Sequence, residues 1–271
     1  MPITAHTRES AARHVLHLAR RNREARQSDG RCDSGTVRGS DVHLSNAYTL
    51  ALADRDAEFQ ILLRCATLNL PDGQSVVWAN QLLHRGTDLP STRVYGPDLL
   101  LDVFALSQNT EVRHYLLGST PQVLDALYQE LRRRFPRAQI VGTCSPPFRP
   151  LTAGELQQQV EAIRTAAADI VWVGLGTPKQ DRWAADLCAQ LPVVAVAVGA
   201  AFDFVAGTKP QAPLWMRRSG LEWLFRLCCE PRRLWRRYLF GNTRFLWGVT
   251  RQAAGDGITA SPLAATGKRA S

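Results

Sequence analysis

The chain has 271 residues, 45% of them hydrophobic, with a formal net charge of +9 and a pI near 9.7. That length holds one α/β domain with a sizeable core plus extensions, and the charge calls for an anionic partner: nucleic acid, acidic lipid or a phosphorylated substrate. The longest apolar run, Leu191–Phe202, is far shorter than the roughly 20 residues of a spanning helix, so no transmembrane segment is expected.

The N-terminus has no uninterrupted apolar stretch, which argues against a secretory signal. The six cysteines (Cys32, Cys65, Cys144, Cys188, Cys228, Cys229) form no C-x-x-C pair. They read as small core residues in a reducing cytosol. Residues 1–40 are rich in Arg, Ser, Gly and Asp and read as a disordered extension with one short helix, Arg8–Arg26.

Asn46–Leu63 has a helical pattern, and a second helix is expected over Gly73–Leu83. Strand His114–Leu117 ends at Gly118, and Thr120-Pro121 opens a helix reaching Arg134. Strand Gln139–Thr143 follows, then a capping box, Thr152 to Glu155, opening a helix to Ala168. Strand Ile170–Val173 leads through Gly174-Leu175-Gly176 into a helix with Thr177 as N-cap, Pro178 at N1 and Gln180 at the capping-box position. Strand Val193–Val198 ends at Gly199. Alternating helices and near-continuous apolar strands predict a Rossmann-like parallel sheet with helices on both faces. Ligands of such sheets bind beyond the carboxyl ends of the strands, where Gly118, Gly174, Gly176 and Gly199 fall.

The stretch Asp169–Trp183 aims a helix N-terminus and glycine backbone at one point, geometry that suits a diphosphate. An ordinary strand–helix turn with Gln180 as a cap fits equally. Gly174-x-Gly176 has Lys179 where a dinucleotide fingerprint has its third glycine. Asp72-Gly73 opens a helix, so Asp72 is either a general base or, as is commoner, an N-cap. Asp54-Arg55-Asp56 has the D-x-D form of metal-dependent sugar transferases. Inside a helix its carboxylates point about 200° apart, which is wrong for a hard cation, so no metal site is expected. His43, His84 and His114 are scattered and read as structural or exposed.

From Pro213 onward, eight aromatic side chains mix with nine arginines, counting Arg251. On a helical wheel Leu234, Trp235, Tyr238, Leu239, Phe245 and Leu246 share one side. Arg232, Arg233, Arg236, Arg237 and Arg244 take the other. That is the pattern of an interfacial membrane helix, or of a core-docked helix with a solvated face. Nucleic-acid binding fits less well, because the aromatics do not alternate with Arg along a groove. Two function classes are open on these residues: a Rossmann-type nucleotide-binding oxidoreductase, and a non-enzymatic membrane- or nucleic-acid-binding module.

Taken in order, Asn46, Asp72-Gly73, Gly96-x-Asp98-Leu99, Gly118-Ser119, Gly174 to Gln180, Gly199 to Asp203, Gly207-x-Lys209, Ala212-Pro213, Gly220-Leu221-Glu222-Trp223, Arg226-Leu227 and Glu230 to Arg233 resemble the WecG/TagA/CpsF family of bacterial glycosyltransferases. The likeness runs from Val42 to Trp247. It departs at Leu44 and Gln211, where the family often has Thr and Arg, and in the first forty residues, which do not read as its usual opening strand and helix.

The resemblance implies inverting, metal-independent transfer of N-acetylmannosamine or a related hexose from a UDP-sugar to a polyprenyl-diphosphate-linked sugar, with no cofactor. Asp72 is then the base, and Asn46, Gly73, Gly96, Asp98, Gly118, Gly174, Gly176, Pro178, Gln180, Gly199 and Asp203 bind substrate. Residues 41–210 form the catalytic domain, 211–251 a helical membrane-associating appendage and 252–271 a loose tail. Arg226, Arg232, Arg233, Arg236 and Arg237 meet the membrane or the leaving diphosphate. The enzyme sits peripherally on the cytoplasmic face of an anionic membrane, as a monomer or a homo-oligomer.

Overall fold

The computed structural model describes residues 3–4, 6–28, 38–84 and 92–255, without the Arg237 side chain. Residues 256–271 of the expected tail, and Cys32, lie outside the described residues. The chain begins with α1 (Arg8–Ser28), β1 (Ser40–Ser45), α2 (Ala47–Ala53), α3 (Ala57–Cys65), β2 (Leu68–Pro71) and α4 (Gln74–Leu83). It continues with α5 (Gly96–Ser107), β3 (Arg113–Gly118), α6 (Pro121–Arg134), β4 (Gln139–Cys144), α7 (Ala153–Thr165) and β5 (Ile170–Gly174). The last part is α8 (Lys179–Gln190), β6 (Val194–Ala197), α9 (Ala201–Val205), α10 (Leu214–Arg218), α11 (Glu222–Cys229) and α12 (Pro231–Ala253).

The six strands form one sheet in the order β2-β1-β6-β5-β3-β4, with every pairing parallel. Successive residues of β3, β5 and β6 face opposite sides, and both sides are apolar because both are covered. Leu116, Trp172 and Val196 pack with α1, α5, α6 and α9, whereas Leu117, Val171, Val173 and Ala195 pack with α7 and α8. The α7 capping box forms as expected, with the Thr152 Oγ1 and Glu155 carboxylate each bonded to the other's backbone N–H.

The helix expected over Arg8–Arg26 forms as α1 and is part of the core, while residues 29–37 of the expected extension lie outside the described residues. Ala11, Ala12, Val15, Leu16, Leu18 and Ala19 of α1 are buried in the main core. Arg23 reaches Glu111 at 2.6 Å and Arg26 reaches Asp169 at 2.5 Å, so the arginines that made the segment look disordered pin it down. The α/β unit therefore starts before residue 41. An opening strand is present too: β1, with sequence SDVHLS, is buried along its whole length. At the outer edge of β2, the Thr4 N–H donates to the Asn69 carbonyl at 2.8 Å.

The helix expected over Asn46–Leu63 is two helices. Asn46 caps α2, accepting from the Tyr48 and Thr49 amides at 3.1 and 3.2 Å. Asp56 caps α3, accepting from Phe59 at 3.0 Å. Asp54-Arg55-Asp56 is thus the turn between them, because an aspartate competes better as a cap than as an interior helix residue. Asp54 pairs with Arg244 at 2.9 Å and Asp56 with Arg182 at 2.6 Å.

The wheel of α12 also needs correction. Leu234 and Phe245 are buried, and Gly241 lies against Tyr48 of α2. Trp235, Leu239 and Leu246, assigned to the same side, are exposed with Phe240 and Trp247. The helix docks through a narrow seam and leaves a second apolar strip uncovered. Among the described cysteines only Cys188 is buried, while Cys65, Cys228 and Cys229 are exposed on helices. No helix among the described residues is long and apolar enough to cross a membrane.

Candidate active site

Parallel strands put all their carboxyl ends on one edge. Ser45 of β1 pairs with Pro71 of β2, so Asn46 and Asp72 emerge side by side. The Asp72 N–H donates to the Ser45 carbonyl at 3.0 Å, and a Cβ on Gly73 would stand 3.5 Å from that of Asn46. On the neighbouring strands, Gly118 pairs with Gly174. A Cβ on Gly118, which has φ +125°, would lie 2.6 Å from the Gly174 carbonyl, and one on Gly174 would lie 2.6 Å from the Phe202 ring. These two glycines let the strand ends and α9 close up beneath the edge. Gly96 is packed under it as well, since a Cβ there would be 3.0 Å from Leu44 and 3.3 Å from the Val198 carbonyl.

The turn after β5 differs from the expected cap. The Thr177–Pro178 peptide is cis, Pro178 occupies the N-cap position and α8 starts at Lys179. Gln180 is only 4% exposed. Its Oε1 accepts from the Gly176 N–H at 2.9 Å, and its amide donates to Thr177 Oγ1 at 3.4 Å. Gln180 also packs against Gly199, where an added Cβ would come within 3.3 Å of Oε1. It is the brace of the turn rather than a helix cap. Gly176, at φ +80°, has open space where a side chain would be.

Asp72 is recessed, with 24% of its side chain reached by solvent. Oδ1 accepts from the Gly96 N–H at the start of α5, at 3.2 Å. Burial raises the carboxyl pKa above its ordinary value, Arg93 opposes this, Glu222 adds to it, and the Gly96 amide and Arg226 oppose it. Arg226 therefore stands within electrostatic reach of Asp72, and its guanidinium also covers the Phe204 ring at 5.5 Å. Arg93 carries no motif signal in the sequence, and only the fold brings it here. Glu222, noted only as part of a motif, pairs with it at 2.5 Å.

Other expected site residues go elsewhere. Asp98 pairs with Arg8 at 3.1 Å. Asp203 meets Lys209 at 3.4 Å, and Lys209 reaches Glu230 at 3.3 Å, which ties α9 to the start of α12. Arg233 bonds Glu230, and Arg236 lies over Trp235 at 5.1 Å, both on the exposed surface with Arg232. Of the described arginines proposed for the diphosphate, Arg226 is the one at the cleft.

A doubly wound parallel sheet with a recessed carboxylate and arginines beyond its carboxyl edge is the frame of an α/β enzyme. The chain belongs to the glycosyl transferase WecG/TagA/CpsF family, whose model matches residues 11–257. It is a glycosyltransferase, which removes the oxidoreductase and the non-enzymatic binding module. It is 27% identical over 202 residues to N-acetylglucosaminyldiphosphoundecaprenol N-acetyl-beta-D-mannosaminyltransferase of Bacillus subtilis (strain 168), covering 74% of this chain and 75% of the relative.

Proposed function

We propose that the chain moves N-acetylmannosamine, or a related hexose, from a UDP-sugar to a polyprenyl-diphosphate-linked GlcNAc, with inversion and without a divalent ion, in cell-surface polysaccharide synthesis. The acceptor and sugar follow the name of the Bacillus subtilis relative. Asp72 removes the proton from the acceptor hydroxyl as that oxygen bonds to the anomeric carbon. The bond from that carbon to the UDP phosphate oxygen breaks, and its electron pair leaves with UDP.

The observation that carries this is the Asp72 recess: a carboxylate with a raised pKa, held by a backbone N–H, on the ligand-binding edge of the sheet. A carboxylate whose pKa is raised by burial is a stronger base than an ordinary exposed one. The Gly174–Gln180 turn binds the donor diphosphate, Asn46 and Gly73 shape the pocket beside the base, and Arg226 neutralises the leaving charge. Metal independence is supported by these cationic groups and by the engagement of Asp54 and Asp56 with arginines.

The α10–α12 segment is read as the membrane appendage. Trp215 is 63% and Trp247 68% exposed, with Leu239, Phe240 and Leu246 also bare beside Arg232 and Arg236. An apolar strip flanked by arginines suits the interface of an anionic membrane, here the cytoplasmic face.

The test is UDP release from a panel of UDP-sugars, with a short-chain polyprenyl-diphosphate-GlcNAc acceptor and EDTA present. Acceptor-dependent turnover with one donor, lost in Asp72→Asn, is expected. Turnover that requires a divalent ion overturns metal independence, and failure of every UDP-sugar to bind overturns the donor assignment.

A further inference from the structure

A single guanidinium stands between the Asp72 recess and the C-terminal helices. Arg93 Nε donates to the Asp72 backbone carbonyl, and Nη1 donates to the Arg217 carbonyl of α10 at 3.4 Å. Nη2 lies 2.5 Å from Glu222 Oε2 but 4.0 Å from Asp72 Oδ1. Asp72 and Glu222 both face the Arg93 guanidinium, and Arg93 is committed to Glu222. Both members of that pair are largely withdrawn from water, at 15% and 14% side-chain exposure, so solvent screens the competition weakly. The Tyr95 ring holds the guanidinium in place, covered by Arg93 at 4.3 Å and by Arg217 at 5.3 Å.

We propose that Glu222 is a positioning residue that holds Arg93 off the Asp72 carboxylate, so that Asp72 is a free base only while α11 is seated. The inference rests on the reading of Asp72 as the base. When α11 lifts away, Glu222 leaves with it, and Arg93 has one carboxylate left to pair with. It closes the 4.0 Å gap, occupies an Asp72 oxygen and weakens it as a base. An enzyme with its C-terminal segment unseated is then capped by its own arginine and does not direct water at the donor. The charged and titratable groups facing Asp72 are Arg93 and Tyr95 before α5, and Glu222 and Arg226 from α11. Arg217 of α10, whose guanidinium covers the Tyr95 ring, faces the same cluster.

The direct test is titration of the Asp72 carboxyl carbon by 13C NMR in the full-length protein, with the signal assigned by its loss in Asp72→Asn. Glu222→Gln is expected to move the Asp72 midpoint to lower pH by about 1, and Glu222→Asp to leave it in place. Arg93→Gln should move it to higher pH. In the Arg93→Gln background, Glu222→Gln should produce less than half of its effect, because the effect runs through Arg93. An unchanged or raised midpoint in Glu222→Gln overturns the proposal. So does a shift of full size without Arg93, which would mean that Glu222 acts directly through space.

Transfer assays separate the two readings. If the midpoints move as expected but no UDP-sugar supports transfer, the UDP-sugar reading fails and the ion-pair competition stands. If Asp72→Asn abolishes transfer while Glu222→Gln keeps the wild-type pH profile, the latch fails and the base assignment stands.

Discussion

His43 Nδ1 lies 2.9 Å from the Asp181 carboxylate, a fully buried contact that fastens the first turn of α8 to β1, one residue from Gln180. The other ring nitrogen meets Asp41 at 3.0 Å, and Asp41 also accepts from the Thr67 amide at 3.0 Å. Burial alone disfavours the imidazolium, but the Asp181 and Asp41 carboxylates outweigh it and push the His43 pKa up to about 9. Burial likewise opposes the Asp41 carboxylate, yet His43 and the Thr67 amide bring its pKa down to about 2.

Stability should follow these two groups. The His43 contribution is fully present below its unfolded pKa of 6.5 and is lost as pH rises through about 9. The Asp41 contribution is present above its unfolded pKa of 3.8 and is lost as pH falls through about 2. Thermal unfolding across pH should therefore place the maximum between those unfolded values, and His43→Gln should flatten the alkaline limb. His43→Leu leaves two buried carboxylates without their cation and should cost about 3–5 kcal/mol. An unaltered alkaline limb in His43→Gln would locate the pH dependence elsewhere.

Asp72 should govern the acid limb of the rate. Its raised pKa means that kcat/KM falls as pH drops through a value above the ordinary 3.8, since the base acts only when ionised. Asp72→Asn should lower kcat by about 10²–10⁴-fold with little change in stability, read from steady-state rates and melting curves.

Gln180 should matter for donor affinity more than for the chemical step. Gln180→Ala removes the acceptor of the Gly176 N–H and loosens the turn, at a net cost of about 1 kcal/mol. The donor KM should rise roughly fivefold with kcat nearly unchanged. A fall in kcat at constant KM would move Gln180 from bracing to catalysis.

Trp215 and Trp247 should hold the protein to lipid without holding the fold together. Because both are more than half exposed, Trp215→Ser and Trp247→Ser should leave the melting temperature in place. Flotation with anionic vesicles should weaken, by about 1.5–3 kcal/mol if each side chain is fully buried in the interface. Added salt should weaken the attachment further, because the flanking arginines act through screened charge. Salt-insensitive flotation would leave the apolar strip as the sole anchor.

Local signals in the sequence determined much of this protein. The apolar runs of β3, β5 and β6, the Thr120 and Thr152 caps and the glycines ending the strands specify a parallel sheet and its ligand edge. Those features depend on neighbours a few residues away, so they are legible without the fold. Partners distant in the chain had to be brought together by tertiary structure. The strand β1 looks polar because His43 and Asp41 are satisfied by Asp181 and Thr67, far along the chain. The same holds for α1, whose arginines find Glu111 and Asp169, and for α12, whose apolar residues divide between a seam on α2 and open surface. Asp72 was visible as a carboxylate before a glycine, but Arg93 and Glu222 became its neighbours only when the segment before α5 and the start of α11 met beside it. Burial and long-range ion pairing decided these parts, and neither is written in any local window of residues.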